Sequence, residues 1–320
     1  MQWMLSALSG ELDFAEWFLS LLNQGKDAFL QDFSYIMAAI IAPAAVLMLL
    51  KFALPVGANA QKTAAFVCRL SCIASLTAVF ARMQSISEAL LHEVAALSNV
   101  LTPILISSAA LAGAETSAAF LSPMTALCAN LTENMLAVWG IAISTAASGI
   151  AIAGNLSSTI QLKRLHGMLK RILHWGTGGL LAAFTAILTL QGRLGAGRDS
   201  AAARTARYAI ENLIPVVGGN VSDSLDSLLS TAQMVKNALG VSGLMLLANV
   251  FIEPVIKMIG TILLVHFSAA IIEPLGEESL ISFAEQFADS IEMLLITCTT
   301  AIVLCMLLIG SCISTTSSLR

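Results

Sequence analysis

The sequence predicts an all-α, polytopic helical membrane protein, with about 7–9 transmembrane or re-entrant helices plus amphipathic interfacial helices. Three observations carry this. Of 320 residues, 57% are hydrophobic and 11% are charged, whereas a soluble domain carries roughly 25% charged residues. Mean hydropathy is +0.85, and a globular chain of this size buries only part of its surface, so the apolar excess must meet lipid. Aromatic residues make up only 6% while Ala, Ser, Gly and Leu abound. Small residues let membrane helices approach closely, and a β-barrel would need alternating strands with aromatic girdles.

The chain divides into four regions: an N-terminal amphipathic segment (1–32), a first transmembrane block (33–192), a polar insert (193–237) and a C-terminal transmembrane block (238–320). The first ten residues lack Lys and Arg, and Glu11, Asp13 and Glu16 follow. The N-terminus does not read as a signal peptide, and a start just after a removed signal is compatible with that. Leu8, Leu12, Ala15, Leu19 and Leu22 recur at helical spacing, which suits an interfacial helix over residues 11–30.

A span needs about 20 apolar residues. The first such stretch is 33–50, with Pro43 inside it and Lys51 at its end; 64–81 follows, interrupted by Arg69. Then come 94–114 with Pro103, 116–132 with Pro123 as its expected break, and the clean stretch 134–156. Residues 172–192 form another span, and 238–252, 254–272 and 293–313 complete the series.

Lys163-Arg164 and Lys170-Arg171 place four positive charges between two spans, which the positive-inside rule assigns to the cytoplasm. Lys51 and Lys62 ask for the same side, so an even number of crossings must separate the two loops. The spans 64–81, 94–114, 116–132 and 134–156 supply four. This reading puts the N-terminus and the insert outside. Arg320 ends inside if 238–252 and 254–272 both cross, and outside if they make one broken crossing.

Catalytic chemistry has no foothold in the sequence. His92, His166, His174 and His266 form no ligand-like cluster, and no zinc-protease, serine-hydrolase or phosphate-loop motif occurs. Catalytic, cofactor-binding and metal-binding residues are therefore assigned to none. Net charge is −4 without a basic run, which argues against nucleic acid. The six cysteines all fall in apolar segments and read as packing residues. Ionisable residues at membrane depth are costly and mark functional candidates. Those candidates are Arg69, Glu133, Glu253, Lys257 and Glu273, with Glu253 and Lys257 spaced to pair beside Pro254.

The insert has the most chemical individuality. Residues 200–213 are good helix formers stopped by Pro215, Val216-Val-Gly-Gly219 reads as a turn, and an amphipathic helix follows. The candidate partner-facing or pore-proximal residues are Arg204, Arg207, Tyr208, Asn212, Pro215, Gly218, Asp223 and Asp226.

The series Arg204-Thr-Ala-Arg-Tyr208, Asn212-Leu-Ile-Pro-Val-Val-Gly218, Ser222-Asp-Ser-Leu-Asp226 and Val235-Lys-Asn-Ala-Leu-Gly240 resembles the stage III sporulation protein AE family of endospore-forming bacteria. Pro254-Val-Ile-Lys257, Phe267-Ser-Ala-Ala270 and Glu273-Pro-Leu-Gly276 continue the same ordered pattern. The resemblance implies a multi-pass protein of the mother-cell membrane around the forespore. It further implies partnership with other stage III sporulation A-operon proteins and a forespore membrane partner, in a secretion-like channel or feeding tube. It carries over no catalytic residue. A possible homo-oligomeric ring follows from the small-residue helix faces and the secretion-like partners. The alternative reading is a secondary transporter of small solutes, with a broken-helix site near Glu253–Lys257.

Overall fold

The computed structural model describes residues 58–111, 130–156, 162–213, 218–273 and 278–314, with isolated helical positions between 19 and 46 and between 119 and 128. For much of 191–237 that description is of the backbone. Five α-helices result: α1 (Ala58–Leu111), α2 (Ile141–Leu156), α3 (Lys163–Leu213), α4 (Gly218–Ile272) and α5 (Glu278–Ser314). A π-helical segment, Leu131–Gly140, runs directly into α2. Helices are what lipid demands, because each satisfies its own backbone polar groups. Five helices are long and apolar enough to cross a membrane among the described residues: Phe66–Ser108, Asn134–Leu156, Lys163–Leu190, Ala238–Ile272 and Leu280–Cys312.

The core is built around α5. Ala288, Met293, Leu294, Cys298, Leu304 and Cys305 are each fully buried, and at helical spacing they span well over half of its circumference. The remaining strip, with Ile296, Val303 and Leu307, is half-buried. A helix that is apolar nearly all round belongs at the centre of a bundle, and α1, α2, the π segment, α3 and α4 all pack on it. The six cysteines are unbonded and buried, in keeping with the packing role expected of them. Phe80 of α1 meets Phe287 edge-on, with ring centroids 5.7 Å apart.

Contacts between helices fix their directions. Along α1 and α5, Cys68 and Cys72 cluster with Leu280, Phe80 meets Phe287, and Cys298 Sγ lies 3.9 Å from the Ser87 carbonyl. The numbers rise together, so α1 and α5 are parallel. Along α4 they fall: Thr261 Oγ1 reaches Met83 Sδ at 3.6 Å, and Ser87 Oγ reaches Met258 Sδ at 3.7 Å. Gly243 then lies against Leu101, so α4 is antiparallel to both. The segment Leu131–Leu156 descends, with Gly140 against Thr297 and Ala147 beside Met293 and Leu173. α3 ascends, since His166 meets Ser290 and Leu173 clusters with Met293. The described helices therefore alternate up and down, and α1, α3 and α5 begin at one end.

Several sequence expectations change. The span 64–81 and the described part of 94–114 lie on one unbroken 54-residue helix that passes through Pro103. Likewise 238–252 and 254–272 form one helix through Pro254, so the expected discontinuity there is absent. Proline removes a donor and crowds the preceding turn, yet Val250, Phe251 and Val255 pack on the core and hold the helix in place. Among the described residues two helices, α1 and α2, lie between Lys62 and the basic pairs of α3, an even number, against the four spans expected. The spans expected at 33–50 and 116–132, and the interfacial segment 1–32, lie largely outside the described residues. The insert is the helical far ends of α3 and α4; Gly218 and Gly219 open α4 instead of closing a turn.

Among the described glycines the most crowded is Gly140, where an added Cβ would stand 2.4 Å from Thr297 Cγ2 and 2.8 Å from its Oγ1. Gly149, Gly176, Gly178 and Gly179 have open space around them, and Gly154 has a neighbour, Leu162, at contact distance. Gly140→Ala overpacks the contact with α5 and is expected to cost about 1–3 kcal/mol, read as a lower thermal midpoint in detergent. Adding Thr297→Ala removes the clashing atoms and restores most of that loss; additive losses would show that the contact is slack.

Candidate functional site

The strongest polar constellation lies where the start of α3 meets α5. α3 opens with the Leu162 carbonyl accepting from the amides of Leu165 at 3.0 Å and His166 at 3.1 Å. Positions 166, 170 and 173 then share one helical face. His166 is 2% exposed, and its Nε2 lies 3.2 Å from Ser290 Oγ. Ser290 donates its own proton to the Gln286 carbonyl at 2.9 Å, so its oxygen is an acceptor and His166 Nε2 carries the proton. Gln286 in turn donates to Ser282, to its carbonyl at 3.0 Å and its hydroxyl at 3.1 Å.

One turn further, Lys170 Nζ donates to Asp289 Oδ1 and to Glu292 Oε2, each at 2.6 Å. A single ammonium thus bridges two carboxylates three residues apart on α5. Lys170, Asp289 and Glu292 are about one-quarter to two-fifths exposed, so water partly screens them. They sit just before the charge-free run 293–310 of α5, and Ile172 begins the apolar part of α3. The cluster therefore stands at the charged end of the apolar part of both helices. It ties the two helix starts at one level, which no purely apolar contact can do with the same directional specificity.

A second link joins α1 to α2: Thr145 Oγ1 approaches Gln84 Oε1 at 3.2 Å while Gln84 Nε2 donates to Glu88 at 2.9 Å. Among the described residues no group of His, Cys, Asp and Glu is placed to hold a metal ion.

Residues 2–316 match the family model described as stage III sporulation protein AE. The chain belongs to that family. The stage III sporulation protein AE of Bacillus subtilis (strain 168) is 25% identical over 191 residues, covering 60% of this chain and 48% of that protein. The match thus spans about half the length of this curated relative. No solved structure matches the chain.

The AE-family motifs fall on the two arms of the insert and on α4. Arg204, Arg207, Tyr208 and Asn212 lie on the far part of α3, and Gly218, Asp223 and Asp226 on the start of α4; their side chains, and Pro215 altogether, lie outside the described residues. Glu253 and Lys257 do pair, at 2.8 Å. Arg69 is half-buried on α1, Glu273 is exposed at the end of α4, and the side chain of Glu133 lies outside the described residues. Arg69 and Glu273 stand away from the Glu253–Lys257 pair along the bundle, so they form no single site with it. The Lys170–Asp289–Glu292 cluster escaped sequence reasoning. Lys170 served only as a topology signal, and Glu285, Asp289 and Glu292 had a helical repeat but no visible partner.

Lys170→Met leaves two neighbouring carboxylates uncompensated. It is expected to destabilise the bundle by about 1–2 kcal/mol, between the surface and buried limits for ion pairs. Combining it with Asp289→Asn and Glu292→Gln removes the stranded charge. Thermal unfolding in detergent should then recover, whereas an unrecovered triple variant would mean that the bridge itself supplies the stability.

Proposed function

We propose that the chain is a non-enzymatic integral membrane subunit of the sporulation channel, or feeding tube, that links mother cell and forespore. The observation that carries this reading is family membership across residues 2–316. In it the protein resides in the mother-cell membrane around the forespore as a platform or pore component. It works with other stage III sporulation A-operon proteins and a forespore membrane partner, and it assembles as a homo-oligomeric ring.

The alternating helices support this placement. With Lys163, Arg164, Lys170 and Arg171 in the mother-cell cytoplasm, α1, α3 and α5 begin inside. The insert and the C-terminus then lie outside, toward the forespore, and a crossing by residues 33–50 puts the N-terminus outside too. Residues 191–213 carry α3 roughly 30 Å past its apolar part at helical rise, which offers the family motifs a reach toward partners.

The alternative, a secondary transporter, drew its motive from a broken helix at Pro254. α4 is continuous there, and Glu253 and Lys257 form a local pair one turn apart, so nothing in the geometry favours it.

Charge reversal at Arg204, Arg207, Asp223 and Asp226 together is expected to abolish spore formation while membrane insertion stays intact; normal spore counts would defeat the proposal. Topology has its own check. Reporters placed at position 160 and after Arg320 should register on opposite sides of the membrane, and signals from one side would overturn the orientation.

A further inference from the structure

Residues 82–93 of α1 place Arg82, Glu88, His92 and Glu93 between two apolar stretches. As a loop they would sit in water, but the helix is continuous through them, and contacts on both sides fix their depth. α1 and α5 advance in step from the Phe80–Phe287 contact to Gly243, which meets both Leu101 and Ile309. With equal rise per residue, positions 88–93 stand level with roughly residues 296–301 of α5, well inside its charge-free run. On α4, Ser87 reaches Met258, which brings Glu253 and Lys257 to the same depth.

The side of α1 that bears these groups is open. Ser85, Glu88, His92, Ala96 and Asn99 recur every three or four residues and are exposed, while Ser87, Leu91 and Ser98 on the opposite side are buried. Carboxylates and an imidazole at this depth cannot face hydrocarbon without a large desolvation cost. Polar faces at membrane depth occur where protein or a water-filled cavity covers them. The described helices of this chain pack on the other side of α1, which leaves the polar side to a cover beyond them.

We infer that the Ser85–Glu88–His92–Asn99 face of α1 lines a water-filled space at mid-membrane depth, open to hydrated polar solutes. The inference rests on the reading of the chain as a pore component and names the surface that would do the work. Glu88 lends that face negative charge, which attracts cations more than anions.

Cysteine accessibility tests it in the whole chain, in native membranes. The native cysteines are buried and should stay silent toward a charged, membrane-impermeant maleimide. Ser85→Cys, Glu88→Cys, His92→Cys and Asn99→Cys should label. Ser87→Cys, Leu91→Cys and Ser98→Cys should not, and neither should Val138→Cys, which is 58% exposed and lies beside the Thr297 level of the bundle. Absence of labelling at the four open positions, or equal labelling at Val138→Cys or at the buried set, overturns the water-lined face. The spore counts of the charge-reversed insert variant are read separately, so loss of the α1 face and loss of the channel reading give different patterns.

Discussion

The near-complete encirclement of α5 is the constraint from which the remaining arrangement follows. Its residues from Met293 to Cys312 offer no continuous polar stripe, so that part cannot sit at the edge of the bundle and hide only one face. Surrounding it takes several helices, and α1, α2, α3 and α4 each contribute a partial face. Between helices in lipid there is little hydrophobic gain to exploit, because the acyl chains are as apolar as leucine. Close packing has to hold the bundle, which is why the approach at Gly140 and Thr297 matters and why Cys and Ala line so much of α5. The last described helix is thus the axis of the fold, and the helices before it in the chain are its wall.

Polar residues enter this apolar interior by a repeated local device. Ser87, Ser144, Thr177, Ser268 and Thr297 are all buried, and each hydroxyl donates to the carbonyl one turn earlier, at 2.7–2.9 Å. The helix satisfies the side chain without help from its neighbours. Such residues cost the bundle little and keep contacts slim. Groups that cannot be satisfied this way need partners across helices, and among the described residues they include Lys170 with its two carboxylates, His166 with Ser290, and Gln84 with Thr145. The cross-helix groups are the ones that fix register, because their bonds fail if one helix slides by a turn.

The all-helical membrane class was legible because composition alone excludes the alternatives, and the family was legible from the ordered motifs between Arg204 and Gly276. Helix continuity was not. The polar run from Arg82 to Glu93 looks like a loop when hydropathy is summed along the chain, and Pro254 looks like a break when proline is judged locally. Both judgements omit lateral packing, which keeps α1 and α4 continuous through those positions. The Lys170 bridge was hidden for a related reason. Its partners lie far away in the chain, and spacing on one helix says nothing about which face of another it will meet. By contrast, the Glu253–Lys257 pair was visible because both members lie on one helix, a single turn apart.

Helix length adds a constraint that composition does not contain. α1, α3 and α4 have 54, 51 and 55 residues, about 80 Å each at helical rise, against roughly 30 Å of hydrocarbon. Most of each helix must therefore lie beyond the bilayer or sit beside protein or water within it. For α3 and α4 the surplus is the insert. Of the motifs that carry the family resemblance, those from Arg204 to Asp226 fall on that surplus, where lipid imposes no apolar requirement, and those from Pro254 to Ala270 fall on the apolar part of α4. For α1 the surplus cannot be placed at one end, because its charged stretch is registered against the middle of α5. Tilt relieves only part of such a mismatch, and sliding α1 along its axis would break the contacts of Phe80, Ser87 and Leu101 together. What can yield is the surroundings of the helix: the hydrocarbon must give way to water or protein along the open side of α1.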